Sequence, residues 1–261
     1  MYVCPHFANT VVVCSTVKFK RTQIMWSYYG SKSKIVHLYP PPKYKRIIEP
    51  FAGSARYSLK YWENDVLLMD KYSVIVDIWQ WLQTCSKNDI LKFPKFKKGE
   101  DIRNFGLSEI EVKFLGFLVA GQGAASPQYV VSKFGEFEHG NQNVYKRVAE
   151  NLHKIKHWTI QLGTYDEIPN FEATWFIDPP YKFGGEYYRY SNKQLDYNHL
   201  GRWCEQRNGH VIVCENTKAD WLPFKQMQKI QGTSNTNTVE AIWSNHITNY
   251  DNEQMSLFGG V

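Results

Sequence analysis

Short apolar runs that stop at a polar residue alternate along this chain with stretches whose apolar positions recur every three to four residues. Ile47 and Ile48, and residues 66–69, 158–162, 171–177 and 210–214, form the short runs and predict buried strands. Residues 57–62, 72–82, 109–120, 144–155 and 195–205 carry the longer period and predict helices. Ser108 to Glu111 reads as a capping box that opens the helix at 109. Strand and helix in alternation predict an α/β fold, a doubly wound Rossmann-like sheet with helices on both faces. A helix-like piece at 35–39 runs into prolines at 40–42, and residues 121–143 read as a polar loop with a short hairpin. Residues 239–243 and 246–249 read as the two strands of a terminal hairpin.

The chemistry sits where the strands stop. After Ile177 the chain reads Asp178-Pro179-Pro180-Tyr181. Two prolines stiffen this turn and remove two N–H donors, so its carbonyls are free to accept. Asp178 adds an acceptor-only carboxylate when ionised, and Tyr181 adds a flat face. Such a turn can hold a flat base through its amino group, or it can be a plain proline turn. After Ile48 the run Glu49-Pro50-Phe51-Ala52-Gly53-Ser54-Ala55 leads into a helix, the strand, glycine turn and helix of a nucleotide-binding unit. The next strand ends at Asp70, 17 residues after Gly53, where an acid can accept from ribose hydroxyls or cap the following helix. Tyr28-Tyr29-Gly30-Ser31-Lys32 offers a ring, a close-approach backbone and a cation, or only a turn. Glu215 and Asn216 close the 210–214 strand on the edge that carries Asp178 if the two strands are parallel.

Composition narrows the partners. The chain of 261 residues has a net charge of +6 and is 16% aromatic, which suits a polyanion and base stacking. Residues 85–158 hold 12 Lys/Arg against 8 Asp/Glu, and there Lys92, Lys95, Lys97 and Lys98 interleave with Phe93, Pro94 and Phe96. With Lys133 these lysines are the candidate contacts to a nucleic-acid backbone, although a charge run is also what a solvated face looks like. Five cysteines without C-x-x-C or zinc spacing predict reduced thiols and no metal site. No apolar run reaches the ~18 residues of a membrane helix, and the N-terminus lacks the pattern of a signal peptide.

Taken together and in this order, the Tyr28–Lys32 motif, the Glu49–Gly53 motif, Asp70 and the Asp178–Tyr181 motif resemble those of Dam-like DNA adenine-N6 methyltransferases. The resemblance spans roughly residues 26–84 and 159–250. It implies a class I methyltransferase sheet, S-adenosylmethionine as cofactor and double-stranded DNA as partner. Residues 26–84 become the cofactor-binding half, 85–158 an inserted, mostly helical target-recognition region, and 159–250 the catalytic half. Residues 1–25 are read as an N-terminal extension. Tyr28, Lys32, Phe51, Gly53, Asp70 and Asp178 are then cofactor contacts, and Asp178, Pro179, Pro180 and Tyr181 the catalytic turn. The chain departs from the family pattern at Tyr28, Ser31 and Ala55, where Trp, Gly and Gly are usual, and at Glu215, where Ser is frequent. Cytosine-N4 enzymes more often carry Ser, and protein-amide enzymes Asn, at the position of Asp178. An RNA methyltransferase and a decayed, DNA-binding replication accessory protein are the other classes weighed. A cysteine beside the site, which cytosine-C5 chemistry needs, is not expected. The tail, 251–261, contains Gln254, Leu257 and Phe258, a pattern similar to the bacterial sliding-clamp-binding peptide. The implied location is the cytoplasm of a bacterial or phage-infected cell.

Overall fold

The computed structural model describes residues 25–121, 123–137, 143–231 and 237–246. The short apolar runs become strands β1 (Arg46–Glu49), β2 (Asp65–Asp70), β3 (Thr159–Leu162), β4 (Ala173–Ile177) and β5 (Gly209–Asn216). The periodic stretches become α1 (Arg56–Lys60), α2 (Ser73–Thr84), α4 (Glu109–Val119), α5 (Val144–Asn151) and α6 (Tyr197–Glu205), with a short α3 (Lys87–Leu91) between α2 and α4. Ser108 and Glu111 do form the capping box of α4.

With β6 (Lys225–Gln231) and β7 (Asn237–Ser244) the strands make one sheet of seven in the order β3-β2-β1-β4-β5-β7-β6. β1 to β5 pair in parallel, and β7 runs antiparallel to both β5 and β6. The terminal hairpin pairs 225–231 with 237–244: the predicted strand 239–243 falls inside β7, its partner in the hairpin precedes it, and residues 247–249 of the predicted 246–249 strand lie outside the described residues. The apolar pattern of 239–243 located β7, but Lys225, Gln226 and Gln228 alternate too weakly to reveal its partner. Residues 35–39 form turns rather than a helix, because Pro40 to Pro42 stop propagation after one i→i−4 bond, Val36 to Lys32. Among the described residues of 121–143 the predicted hairpin does not form. Val130 instead bridges Asp101, and Ala124 bridges Tyr28.

Side-chain alternation along the strands builds two cores. Ile47, Val66, Leu68, Phe176 and Ile212 face one layer with α1, α2 and the helices of 85–158. Ile48, Met69, Trp175, Ile177, Val211 and Val213 face the other, covered by Leu200 and Trp203 of α6. The helices thus flank both sides of the sheet. Residues 85–158 pack into the first core: Phe93, Phe96, Phe114, Phe117 and Val148 share it with the strands. Trp26, fully buried, sits 4.4 Å from Trp79 of α2 and 6.3 Å from Phe114 of α4 by ring centroids. That contact pins the start of the Tyr28–Lys32 turn between α2 and α4.

Candidate active site

The direction of the crossovers reverses between β1 and β4, so the sheet opens a crevice at their carboxyl ends. A cavity of about 350 Å³ lies there. Glu49 ends β1, Asp70 ends β2, Asp178 follows β4, and Glu215 lies near the end of β5. Four neighbouring parallel strands thus deliver a carboxyl group to one edge.

Each wall follows from local sequence. Pro50 ends β1, and Gly53 turns at φ +43°. A Cβ on Gly53 would lie 3.0 Å from the Tyr28 ring, so glycine is required by both the backbone and the neighbour. Ala55 keeps the left-handed conformation at φ 44° although it is not glycine. Asp70 fixes the turn from across the sheet: its two oxygens accept from Gly53 N and Tyr72 N, both at 2.9 Å. Gly30, at φ +70°, bends the first motif back so that Lys32 Nζ reaches its carbonyl at 3.1 Å. The same ammonium meets Asp178 Oδ1 at 2.7 Å, with the two side chains 8% and 20% exposed.

Tyr197 of α6 locks the proline turn by donating to the Pro180 carbonyl at 2.6 Å. The segment that follows is rooted by Glu215, which accepts from Lys182 N at 2.9 Å, and by Asn216, which donates to the Phe183 carbonyl at 2.7 Å. It then folds over the pair, and Tyr188 donates to the Tyr29 carbonyl at 3.2 Å. A Cβ on Gly30 would fall 1.8 Å from the Tyr188 hydroxyl. On the far wall Phe51 stacks on Tyr165 at 5.7 Å.

Tyr28, Lys32, Phe51, Gly53, Asp70, Asp178 and Pro180 all line the cavity. Tyr181 does not. Its hydroxyl donates to Glu240, and Lys32 Nζ lies over its ring, 4.6 Å from the centroid. Pro179 is buried behind the wall. Lys92, Lys95, Lys97, Lys98 and Lys133 are exposed and stand outside the cavity, with Lys92 paired to Asp89 at 3.3 Å. Phe93 and Phe96 are 5% and 2% exposed, so the interleaved rings are core and cannot stack on bases. Gln254, Leu257 and Phe258 lie outside the described residues. Contrary to expectation, a cysteine does stand beside the site. Cys214 of β5 is fully buried near Asp178, and burial holds its thiol well above its ordinary value, which denies it a thiolate. Among the described residues no cluster of His, Cys, Asp and Glu could hold a metal, and no helix is long and apolar enough to cross a membrane.

Sequence reading placed Glu49 in a motif and Tyr188 in a loop cluster without giving either a role of its own, and it passed over Arg56, Tyr165, Tyr197 and Glu240. Only Glu240 left a clear signal, a carboxylate inside the apolar run Val239-Glu240-Ala241-Ile242. A scan against protein-family models and a search of curated proteins both return no match.

Burial dominates the electrostatics. It pushes Asp70 up to about 6 and Glu49 up to about 8. Asp178 also rises to about 6 through burial, with Lys32 opposing and Glu240 adding to the rise. Burial alone would lower Lys32, but Asp178 and Glu240 hold its ammonium above the ordinary lysine value. Three carboxyls that keep their protons longer in the fold than in the open chain stabilise it most on the acid side. That contribution is lost as pH rises through about 6 to about 8. His37, lowered by burial, acts in the opposite sense. The melting temperature is expected to fall between pH 5 and pH 8, and Asp70→Asn with Asp178→Asn to flatten the slope. A melting temperature that rises over this interval would refute the assignment.

Proposed function

We propose that this chain is an S-adenosylmethionine-dependent DNA methyltransferase that modifies the N6 amino group of adenine. The observation that carries this is convergence: four separate sequence motifs meet in one cavity at the switch point of a doubly wound sheet, with Asp178 and Lys32 in contact at 2.7 Å. The residues present suit the cofactor. Its ribose hydroxyls call for an acceptor such as Asp70, which is already rigid through its two backbone bonds. The Phe51 and Tyr28 rings supply apolar walls, and the cavity falls in the ~300–1,000 Å³ range of small-molecule sites. Once bound, the cofactor supplies an electrophilic methyl on a sulfonium.

The protein's own task is alignment and charge placement. Adenine N6 is stacked in the duplex and must be flipped out, at a cost of a few kcal/mol. Asp178 accepts one of its N–H bonds through the oxygen that Lys32 leaves free. The other falls to the Pro179 carbonyl, which takes no hydrogen bond among the described residues; Pro179 does not line the cavity as it stands, so this contact requires the flipped base to reach past the present wall. Two acceptors on one amino group draw its lone pair out of ring conjugation. Methyl transfer would exchange the sulfonium's S–C bond for the new C–N bond, leaving a neutral thioether and a cationic nitrogen, and the Asp178 carboxylate is the base within reach of the proton that nitrogen gives up. Lys32 holds that carboxylate in place and prevents it from turning towards solvent. The exposed lysines of 85–158 are the proposed backbone contacts.

Isothermal titration with S-adenosylmethionine tests the cofactor half. Saturable one-to-one binding that weakens in Phe51→Ala is expected. The absence of binding to the wild-type chain would overturn the proposal.

A further inference from the structure

Behind the Asp178–Lys32 pair stands a second carboxylate that methyl transfer, as set out above, does not use. Glu240 occupies the middle of β7 and is 3% exposed. On the alternating pattern it shares a face with Ile242, which belongs to the core. An apolar residue there would build the same strand, and a buried carboxylate costs several kcal/mol unless hydrogen bonds offset it. Two phenols do so. Tyr39 donates to Glu240 Oε1 at 2.7 Å, and Tyr181 donates to the same oxygen. Tyr181 in turn presents its ring to the Lys32 ammonium, which contacts Asp178. A continuous chain of contacts therefore runs from Glu240 through Tyr181 and Lys32 to Asp178.

We propose that Glu240 is a positioning residue of the transfer site. It fixes Tyr181 and Tyr39 behind the proline turn, and it supplies the second negative charge against which the Asp178–Lys32 pair is balanced. This rests on reading the turn at Asp178 as the reacting site. The result is a buried centre with two carboxylates and one ammonium, an arrangement that favours a cationic ligand such as a sulfonium over its neutral thioether product.

The other groups that face Asp178 do not duplicate Glu240. Among the described residues Lys32, on the first motif, is the one cation whose charge acts on it. Tyr188 from the overlying segment, Tyr39 from the turns before β1, Tyr181 and the Cys214 thiol are held neutral by burial. Glu49, at the end of β1, keeps its proton up to about 8. Removing the charge of Glu240 thus leaves Lys32 opposed by Asp178 alone, and Asp178 should then ionise more readily.

The test is carboxyl-carbon NMR of the full chain labelled with 13C-aspartate, in which the Asp178 signal is identified by its loss in Asp178→Asn. Glu240→Gln keeps an oxygen for both phenols and removes only the charge. The Asp178 titration midpoint is expected to move to lower pH by about 1 unit or more in that variant, the usual size of a nearby-charge effect. Glu240→Asp, which restores the charge, is expected to return it towards wild type. The preference for S-adenosylmethionine over S-adenosylhomocysteine, measured by titration calorimetry, should fall in parallel. A midpoint in Glu240→Gln equal to that of wild type would overturn the proposal and leave Glu240 a purely structural anchor. The NMR readout needs no turnover. A chain that transfers no methyl group but shows the shift would therefore count against the proposed reaction and not against the role of Glu240.

Discussion

Asparagine at position 178 is expected to reduce methyl transfer by about 10³-fold while leaving affinity for S-adenosylmethionine within a few-fold of wild type. The geometry explains why so conservative a change is so costly. Lys32 donates to Asp178 Oδ1, so the amide oxygen of an asparagine must take that side. Its NH2 then points at the amino group of the target base, a donor facing a donor, and the site loses both its acceptor and its base. Alanine is expected to abolish transfer as fully and to cost stability as well. It leaves a buried ammonium opposed only by Glu240, for a loss of about 2–3 kcal/mol and a melting temperature lower by roughly 4–12 °C. Methyl-transfer kinetics, calorimetry and thermal melts on the two variants separate these effects. Turnover in Asp178→Asn within tenfold of wild type would remove Asp178 from the chemistry.

Asp70→Ala is expected to act on the other half of the site, weakening S-adenosylmethionine about 100-fold with less than a tenfold effect on turnover at saturation. The carboxylate accepts Gly53 N and Tyr72 N and, in the proposed complex, also a ribose hydroxyl. Its loss strands two backbone donors in a turn that is already in a left-handed conformation at Gly53 and Ala55. A hydrogen bond to a charged group contributes ~1.5–3 kcal/mol, which sets the size of the expected change in Kd. Calorimetry on the variant provides the check. An unchanged Kd would mean that Asp70 only ties the Gly53 turn to the backbone before α2, whose N-cap is Tyr72 and not Asp70.

Much of this was legible in the sequence, for physical reasons that differ by element. β1, β2, β4 and β5 are largely buried, so they read as near-continuous apolar runs, and each carries its carboxylate at or next to its carboxyl end; β3, at the sheet edge, is largely exposed and carries none. The turn residues were equally legible: the required φ of Gly53 and the two missing N–H groups of Pro179 and Pro180 are properties of single residues. What escaped depends on distant partners. Phe93 and Phe96 look the same in sequence whether they stack on a base or fill a core, and only the packing of α4 and α5 decides for the core. Tyr181 read as a flat face for a base, but a hydroxyl partner 59 residues away draws it behind the wall. The first strand of the terminal hairpin was missed because Lys225 to Gln231 at the sheet edge carries almost no apolar alternation.

Labelled methyl transfer from S-adenosylmethionine to unmethylated duplex DNA, followed by nucleoside analysis, tests the central claim most directly. The expected product is N6-methyladenine that disappears in Asp178→Asn. DNA that stays unlabelled, or label carried on another nucleoside, would contradict it.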